Sequence, residues 1–210
     1  MDSGLARRDL EYYGTKFNFE MMFFGRLTFA INWLRFGRSD FADSVFDLAF
    51  NHQVGNWNVW RELAAGLAHP GTGGGAVNFL TGAGAFLQAF LFGYIGLQPE
   101  SDGLVLDPVL PAHADNVSAI GVWFGGCSCD VFFNSTQMRL RSAKAGCLAV
   151  KDGITNTTRP LTTSPTTMPR SRVVLVRAAA VPLKTTDDSL SAAAASPKKV
   201  VLWMANPHPI

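Results

Sequence analysis

The apolar residues of this chain recur at helical spacing in its first half. After Asn18 they return every three or four residues, which places the following side chains on one helix face: Phe23, Leu27, Ala30 and Leu34. Gly37 is expected to end this helix, and Ser39 is expected to be the N-cap of the next one. The predicted buried stripe of that second helix is Phe41, Val45 and Leu48.

A third helix is predicted over residues 77–97, and it has no continuous polar face. Its small residues fall on one narrow stripe that lets a neighbouring backbone come close: Gly82, Ala89, Gly93 and Gly96. Such a helix is either buried inside a larger protein or spans a membrane. It is long enough for a bilayer, but Asn78 and Gln88 interrupt it and no basic cluster flanks it. We therefore favour a buried helix of a large helical barrel over a membrane-anchored interaction protein.

The apolar period falls to two after Pro99, where strands replace helices. Strands are predicted over residues 117–124, 129–133, 138–141, 147–150, 173–176 and 200–203. Residues 155–172 are rich in Thr, Ser and Pro and are expected to be a loop or partly disordered, and a Ser/Ala-rich stretch precedes the last strand. The predicted fold is therefore α+β, with a helical domain over residues 1–98 and a small antiparallel β-sandwich over residues 99–210.

Composition narrows the choice of function. Charged residues make up 16% of the chain and the net charge is +2, with no aromatic-basic repeat, so nucleic-acid binding is not expected. No apolar segment follows the charged first residues, so no signal peptide is expected. N-glycosylation sequons begin at Asn116, Asn134 and Asn156, and they favour a lumenal location. The location therefore stays open between cytoplasmic and lysosomal or lumenal.

The cysteines and histidines indicate neither a metal site nor a cofactor. The histidines have no metal-ligand spacing and are expected on surfaces or in loops. Cys127, Cys129 and Cys147 are odd in number and include a C-x-C spacing, which argues against a zinc knuckle. We expect buried free thiols, with a bond from Cys147 to Cys127 or to Cys129 as the alternative.

Glu62 is the strongest catalytic candidate. It lies beside Trp60 and precedes a glycine-rich loop, and no other formally charged side chain follows before Glu100. Glycosidic cleavage needs two carboxyl groups flanking the scissile bond, and an indole face such as that of Trp60 packs well against a sugar ring. The alternative is that Glu62 only caps a loop or pairs with Arg61.

The residues around Glu62 also form motifs of a known family. The segment Val59-Trp60-Arg61-Glu62, the glycine loop after it, and Gly75-Ala76-Val77-Asn78-Phe79-Leu80-Thr81-Gly82 resemble the catalytic domain of glycoside hydrolase family 65. Residues 27–34 resemble a barrel helix of that family, and residues 104–108 resemble the start of its C-terminal sandwich. The resemblance is specific over residues 5–125 and weak beyond them.

This resemblance implies a fold, a mechanism and a substrate class. The helices would be the C-terminal ones of an (α/α)6 barrel, and Glu62 would be the general base of an inverting α-glucosidase. Asn78, within the matched motif, is a second substrate-binding candidate with Trp60. The implied substrate is a trehalose-like glucoside or a glucosyl unit on a glycosylated collagen-type protein. The resemblance also implies that the general acid lies upstream of the position of Met1. Within this chain Glu11 and Glu20 are possible acids, but neither lies in a matching motif.

Three classes of function remain open on the sequence. The first is a fragment of an α-glucosidase, inactive by itself. The second is a catalytically silent carbohydrate-binding or barrel-stabilising piece, and the third is the membrane-anchored interaction protein. In the first two classes the apolar barrel helices would be exposed, so we expect self-association through them.

Overall fold

The structure is a computed structural model, and it describes residues 3–17, 23–57, 59–63, 75–178 and 201–205. The chain divides into two compact units, Met1–Gly96 and Leu97–Ile210. The predicted domain boundary lies two residues later, after residue 98. A strand that begins at Leu97 accounts for the difference, because its first two residues already pair within the second unit.

Unit 1 is mainly helical. Its elements are α1 (Ser3–Gly14), α2 (Phe23–Arg35), α3 (Ser39–Asp47), a 3-10 helix (Leu48–His52), β1 (Gln53–Val54), β2 (Val59–Trp60) and α4 (Leu80–Gln88), which a π-helical segment (Ala89–Tyr94) continues. Helix α2 contacts each of the other helices of the unit. Leu27 and Ala30 of α2 are fully buried, which confirms the predicted apolar face of this helix.

The junction between α2 and α3 follows the prediction at its glycine but not at its cap. Gly37 adopts a φ of +71°, and the backbone N–H groups of Gly37 and Arg38 donate to the carbonyls of Leu34 and Trp33. This is a Schellman termination. The N-cap of α3 is Arg38 and not Ser39, because α3 already begins at Ser39. The Arg38 guanidinium instead binds the carboxylate of Asp40 in the first turn.

The predicted buried stripe of α3 is correct at Val45 but wrong at Phe41 and Leu48. Ala42, Val45 and Phe46 are the buried side chains of α3, whereas Phe41 is 43% exposed and Leu48 is 38% exposed. Aromatic packing decides the orientation. The Phe46 ring lies 5.1 Å from that of Phe86, in α4, and 4.9 Å from that of Tyr94, so the core draws Phe46 inward. Period alone could not distinguish the two faces.

The third predicted helix is shorter than residues 77–97. It begins at Leu80 and runs through the π-helical segment to Tyr94. Before it, Val77 forms a β-bridge with Arg61, and after it Leu97 starts a strand. The predicted close approach is confirmed at Gly93, where an added Cβ would lie 2.9 Å from Cδ1 of Leu34 in α2. Among the helices that the structure describes, none is long and apolar enough to cross a membrane.

Unit 2 consists of two five-stranded antiparallel sheets within its described residues. The first has the order β10-β7-β6-β5-β12 and the second the order β3-β4-β11-β8-β9. The strands are β3 (Leu97–Glu100), β4 (Gly103–Leu106), β5 (Asn116–Phe124), β6 (Cys127–Asn134), β7 (Gln137–Ser142), β8 (Leu148–Asp152), β9 (Thr158–Pro160), β10 (Thr166–Pro169), β11 (Val173–Arg177) and β12 (Val201–Ala205).

Each strand predicted after residue 99 is present, with shifted ends. Residues 155–172, predicted as a loop, instead contain the two short strands β9 and β10. Both strands lie at sheet edges and carry a proline at their last position, where a missing N–H interrupts no central ladder. The Ser/Ala-rich stretch, residues 189–196, lies outside the described residues.

The prediction of free thiols is wrong for two of the three cysteines. Cys127 and Cys147 form a disulfide, and Cys129 is free and buried. The bond joins the first residue of β6 in one sheet to the residue before β8 in the other sheet. Sequence spacing could not select this pair, because the sheet arrangement alone brings residues 20 positions apart into contact.

Candidate functional site

The candidate site is built on a small antiparallel arrangement of backbone in unit 1. Strands β1 and β2 pair as a hairpin, in which Gln53 lies opposite Trp60. The next residue, Arg61, forms a bridge with Val77 on the segment that returns from the glycine loop. Glu62, which follows Arg61 just after β2, is therefore held between the hairpin on one side and residues 75–79 on the other.

The backbone and the carboxylate of Glu62 are both bonded to Ala76. The Glu62 N–H donates to the Ala76 carbonyl at 3.0 Å, and Oε2 of Glu62 accepts from the Ala76 N–H at 3.1 Å. Among the described residues, Glu62 forms no ion pair with Arg61, and Oε1 accepts no hydrogen bond. The side chain is half-buried. One carboxylate oxygen is thus anchored to the loop, while the other has no such anchor.

Gly75 determines how close the returning segment comes to Glu62. Its φ is +76°, a conformation that side chains rarely adopt. An added Cβ at this position would lie 2.9 Å from Cβ of Glu62 and 3.1 Å from Oε2. Gly75 therefore permits both the turn and the short distance between the turn and the carboxylate.

Asn78 lies in the same arrangement and has an unusual backbone. Its φ is +57°, in the left-handed region that asparagine tolerates better than most residues. The hydrogen-bond pattern shifts by one residue there: Phe79 rather than Asn78 donates its N–H to the Trp60 carbonyl, at 2.8 Å. The Asn78 side chain is exposed. Backbone outliers of this kind are concentrated at functional sites.

Trp60 is half-buried on an aromatic cluster beneath the strand. Its ring centroid lies 4.7 Å from that of Phe86 and 6.5 Å from that of Phe50, both edge to face. Because side chains alternate along extended backbone, Trp60 and Glu62 extend toward one face and Arg61 toward the other. Trp57, the second tryptophan near Glu62, is 89% exposed in the β1–β2 turn. The backbone thus brings Trp60, Glu62 and Asn78 into one short stretch of paired strand.

His52 and Arg26 were not predicted as part of this region. His52 was expected on the surface or in a loop, but its exposed fraction is 0%, and that of Arg26 in α2 is 1%. Burial and the nearby positive charge of Arg26 lower the pKa of His52. No sequence pattern singles out either residue, since His52 has no metal-ligand spacing and Arg26 is one of several arginines at helix positions.

The remaining candidates do not assemble into a second site. His113 is exposed, while His69 and His208 lie outside the described residues. Glu11 is exposed and pairs with Arg7 at 3.0 Å, and Glu20 is not among the described residues. Within the part of the chain that the structure describes, no group of His, Cys, Asp and Glu could hold a metal ion.

Comparison with known proteins points to the class of glycoside-cleaving enzymes. Curated relatives named protein-glucosylgalactosylhydroxylysine glucosidase share 34% identity over 116 residues in Danio rerio and 33% over 119 residues in Gallus gallus. The match covers 55% and 57% of this chain but only 17% and 16% of those proteins. The chain thus spans about a sixth of the length of the curated relatives that it matches.

A solved structure is similar to the chain at the level of the fold. A protein assigned as a kojibiose phosphorylase from human microbiome matches with a TM-score of 0.52 at 14% identity. The match covers 69% of this chain and 18% of that chain. No protein-family model matches the chain. The relatives and the shared fold confirm the predicted resemblance to glycoside hydrolase family 65.

Proposed function

We propose that this chain is part of an inverting α-glucosidase. The names of its relatives support the activity, and the fold match supports the architecture. On this proposal unit 1 supplies the C-terminal helices of an (α/α)6 barrel, and unit 2 is a β-sandwich that follows it. The substrate is a glucosyl linkage of the glucosylgalactosylhydroxylysine type named for the relatives, with a trehalose-like glucoside as the alternative substrate.

Glu62 is the general base in this proposal, and one observation carries the assignment. Its carboxylate is anchored through a single oxygen to Ala76, next to Trp60 and Asn78. A base for inversion must hold a water on the face of the sugar opposite the leaving group. The oxygen Oε1 would accept a proton from that water as the water attacks the anomeric carbon. A second carboxyl group, about 6.5–9.5 Å away, would protonate the departing oxygen.

Trp60 and Asn78 are proposed to hold the sugar. The indole of Trp60 rests on Phe86, which limits its rotation, so a sugar ring could pack against the same surface without a large loss of side-chain entropy. The exposed amide of Asn78 offers both donors and an acceptor for sugar hydroxyls.

A second candidate function has an observation of its own. Because Oε2 of Glu62 already accepts a backbone N–H, the residue could serve only to hold the loop. The chain would then be a silent carbohydrate-binding or barrel-stabilising part. In neither case does the proposal include a nucleic acid or a cofactor.

Replacing Glu62 with Gln in the protein expressed from its complete gene separates the two candidates. Glutamine keeps the size and the hydrogen bond to Ala76 but cannot take a proton from water. We expect turnover of the glucoside to fall by about 10²–10⁴, with sugar affinity retained. The matched control is Glu100→Gln, which removes an exposed carboxylate paired with Arg172. Near-normal turnover of Glu62→Gln would rule out the base and leave the structural role.

A further inference from the structure

Two side chains that can carry a positive charge are buried in unit 1 close to the candidate base. Arg26 belongs to the first turns of α2, and His52 ends the 3-10 helix that leads into β1. Both are almost entirely removed from solvent. Burying such groups is costly unless they form specific interactions. We therefore expect these two buried side chains to have a specific role.

His52 holds both polar groups of the Arg61 backbone. Its carbonyl accepts the N–H of Arg61 at 2.9 Å, and its Nδ1 lies 3.2 Å from the carbonyl oxygen of Arg61. A carbonyl can only accept a hydrogen bond, so this contact requires the proton of a neutral imidazole to be on Nδ1. Burial, and after it the positive charge of Arg26, lower the pKa of His52 and so favour the neutral ring.

Arg61, whose backbone His52 holds, directly precedes Glu62 in the chain. The two hydrogen bonds with His52 fix the backbone of Arg61. The two hydrogen bonds between Glu62 and Ala76 fix Glu62 from the other side. If the backbone of Arg61 could move, the carboxylate of Glu62 would shift relative to the sugar and to the attacking water. Loss of about 1 Å of positioning can cost on the order of 10²-fold in rate.

We propose that His52 is a positioning residue that sets the place of the Glu62 carboxylate through its hydrogen bond to the Arg61 carbonyl. The inference rests on the proposed function of Glu62, and it adds a residue that touches neither sugar nor water. It predicts a change in the rate of the chemical step rather than in the binding of substrate, because positioning of a base matters only in the transition state.

The test compares two replacements of His52 in the protein expressed from its complete gene. Asparagine can place an N–H near the position of Nδ1, whereas leucine fills space without a donor. We expect His52→Leu to lower kcat by about 10- to 100-fold with KM changed by less than about 3-fold. We expect His52→Asn to keep kcat within about 3-fold of the parent. Equal losses in both variants, a loss confined to KM, or an unchanged kcat in His52→Leu would overturn the proposal.

Two further measurements keep the result decisive. Nitrogen NMR of the parent imidazole should show the proton on Nδ1 at neutral pH, and a proton on Nε2 instead would overturn the proposal even if His52→Leu does not fold. Glu62→Gln is measured in parallel. Low turnover of Glu62→Gln with normal kcat of His52→Leu refutes the positioning role alone. Normal turnover of Glu62→Gln refutes the proposed function, and the positioning role with it.

Discussion

At the scale of single residues, the backbone around Glu62 depends on conformations that few side chains permit. Gly75 and Asn78 both have positive φ values. Gly75 directly precedes Ala76, which is hydrogen-bonded to Glu62, and Asn78 directly precedes Phe79, which is hydrogen-bonded to Trp60. The identity of Glu62 as a candidate followed from sequence, through its isolation and its tryptophan neighbour. Its anchoring by Ala76 did not, because the loop that separates them has no periodic pattern.

Replacing Gly75 with Ala tests how strongly the position of the Glu62 carboxylate depends on the turn at Gly75. The new methyl group would lie 2.9 Å from Cβ of Glu62 and would displace it. We expect turnover to fall by about 10-fold or more, through misplacement of the base. Gly55→Ala is the matched control: its φ is similar, at +70°, but an added Cβ meets nothing within 4 Å. It should cost about 1–2 kcal/mol of stability without affecting turnover. Equal turnover in the two variants would contradict the expectation.

At the scale of elements, α2 is the centre of unit 1, and the π-helical segment that continues α4 approaches it closely at Gly93. Sequence predicted the stripe of small residues, and Gly93 meets Leu34 as expected. The same pattern did not predict which face of α3 is buried. That choice followed from the rings of Phe46, Phe86 and Tyr94, which come together from distant positions.

Gly93→Leu tests the contact between α2 and the π-helical segment. The larger side chain has no space against Leu34 and Ile31, so the free energy of unfolding should fall by about 1–3 kcal/mol. Gly84→Leu is the control on the same continuous helix, since an added Cβ there meets nothing within 4 Å. It should leave stability unchanged or raise it by up to about 1 kcal/mol, because leucine favours helix more than glycine does. Urea denaturation of both variants measures the difference, and equal stability of the two would show that Gly93 is not packed.

At the scale of the whole molecule, each unit has its own source of stability. Unit 1 depends on helix packing around α2, while unit 2 has two sheets joined by the bond between Cys127 and Cys147. Cys129 remains a thiol two residues away, and burial raises its pKa to about 12. We therefore expect this thiol to react slowly with alkylating reagents in the folded protein at neutral pH.

Removing the disulfide should weaken unit 2 much more than removing the free thiol. Replacing both Cys127 and Cys147 with alanine should lower the free energy of unfolding by about 3 kcal/mol, through the entropy of the unfolded chain. Cys129→Ala is the control and should cost less. Thiol titration of the denatured, unreduced parent should find one reactive group. Three titratable thiols would mean that the bond does not form.

Expressed as these 210 residues, the chain should self-associate and should not cleave a glucoside. Leu80 is 82% exposed and Leu87 is 48% exposed on α4, an apolar surface that favours association. Light scattering should give a mass above 22.7 kDa, and Leu80→Lys with Leu87→Lys should lower it. A monomer that releases glucose from a disaccharide at enzymatic rates would contradict both expectations, and would require a general acid within this chain.

The sequence by itself determined the division into a helical part and a strand-containing part and the leading catalytic candidate, because periodicity and isolated charges are local properties. It predicted α2, the change from helix to strand and most strands of unit 2, and it singled out Glu62 with Trp60. Only the tertiary structure decided the disulfide partner, the buried face of α3, the edge strands β9 and β10, and the burial of His52 beside Arg26. Each of these depends on residues far apart in sequence that meet only when the chain has packed, so no local pattern records them.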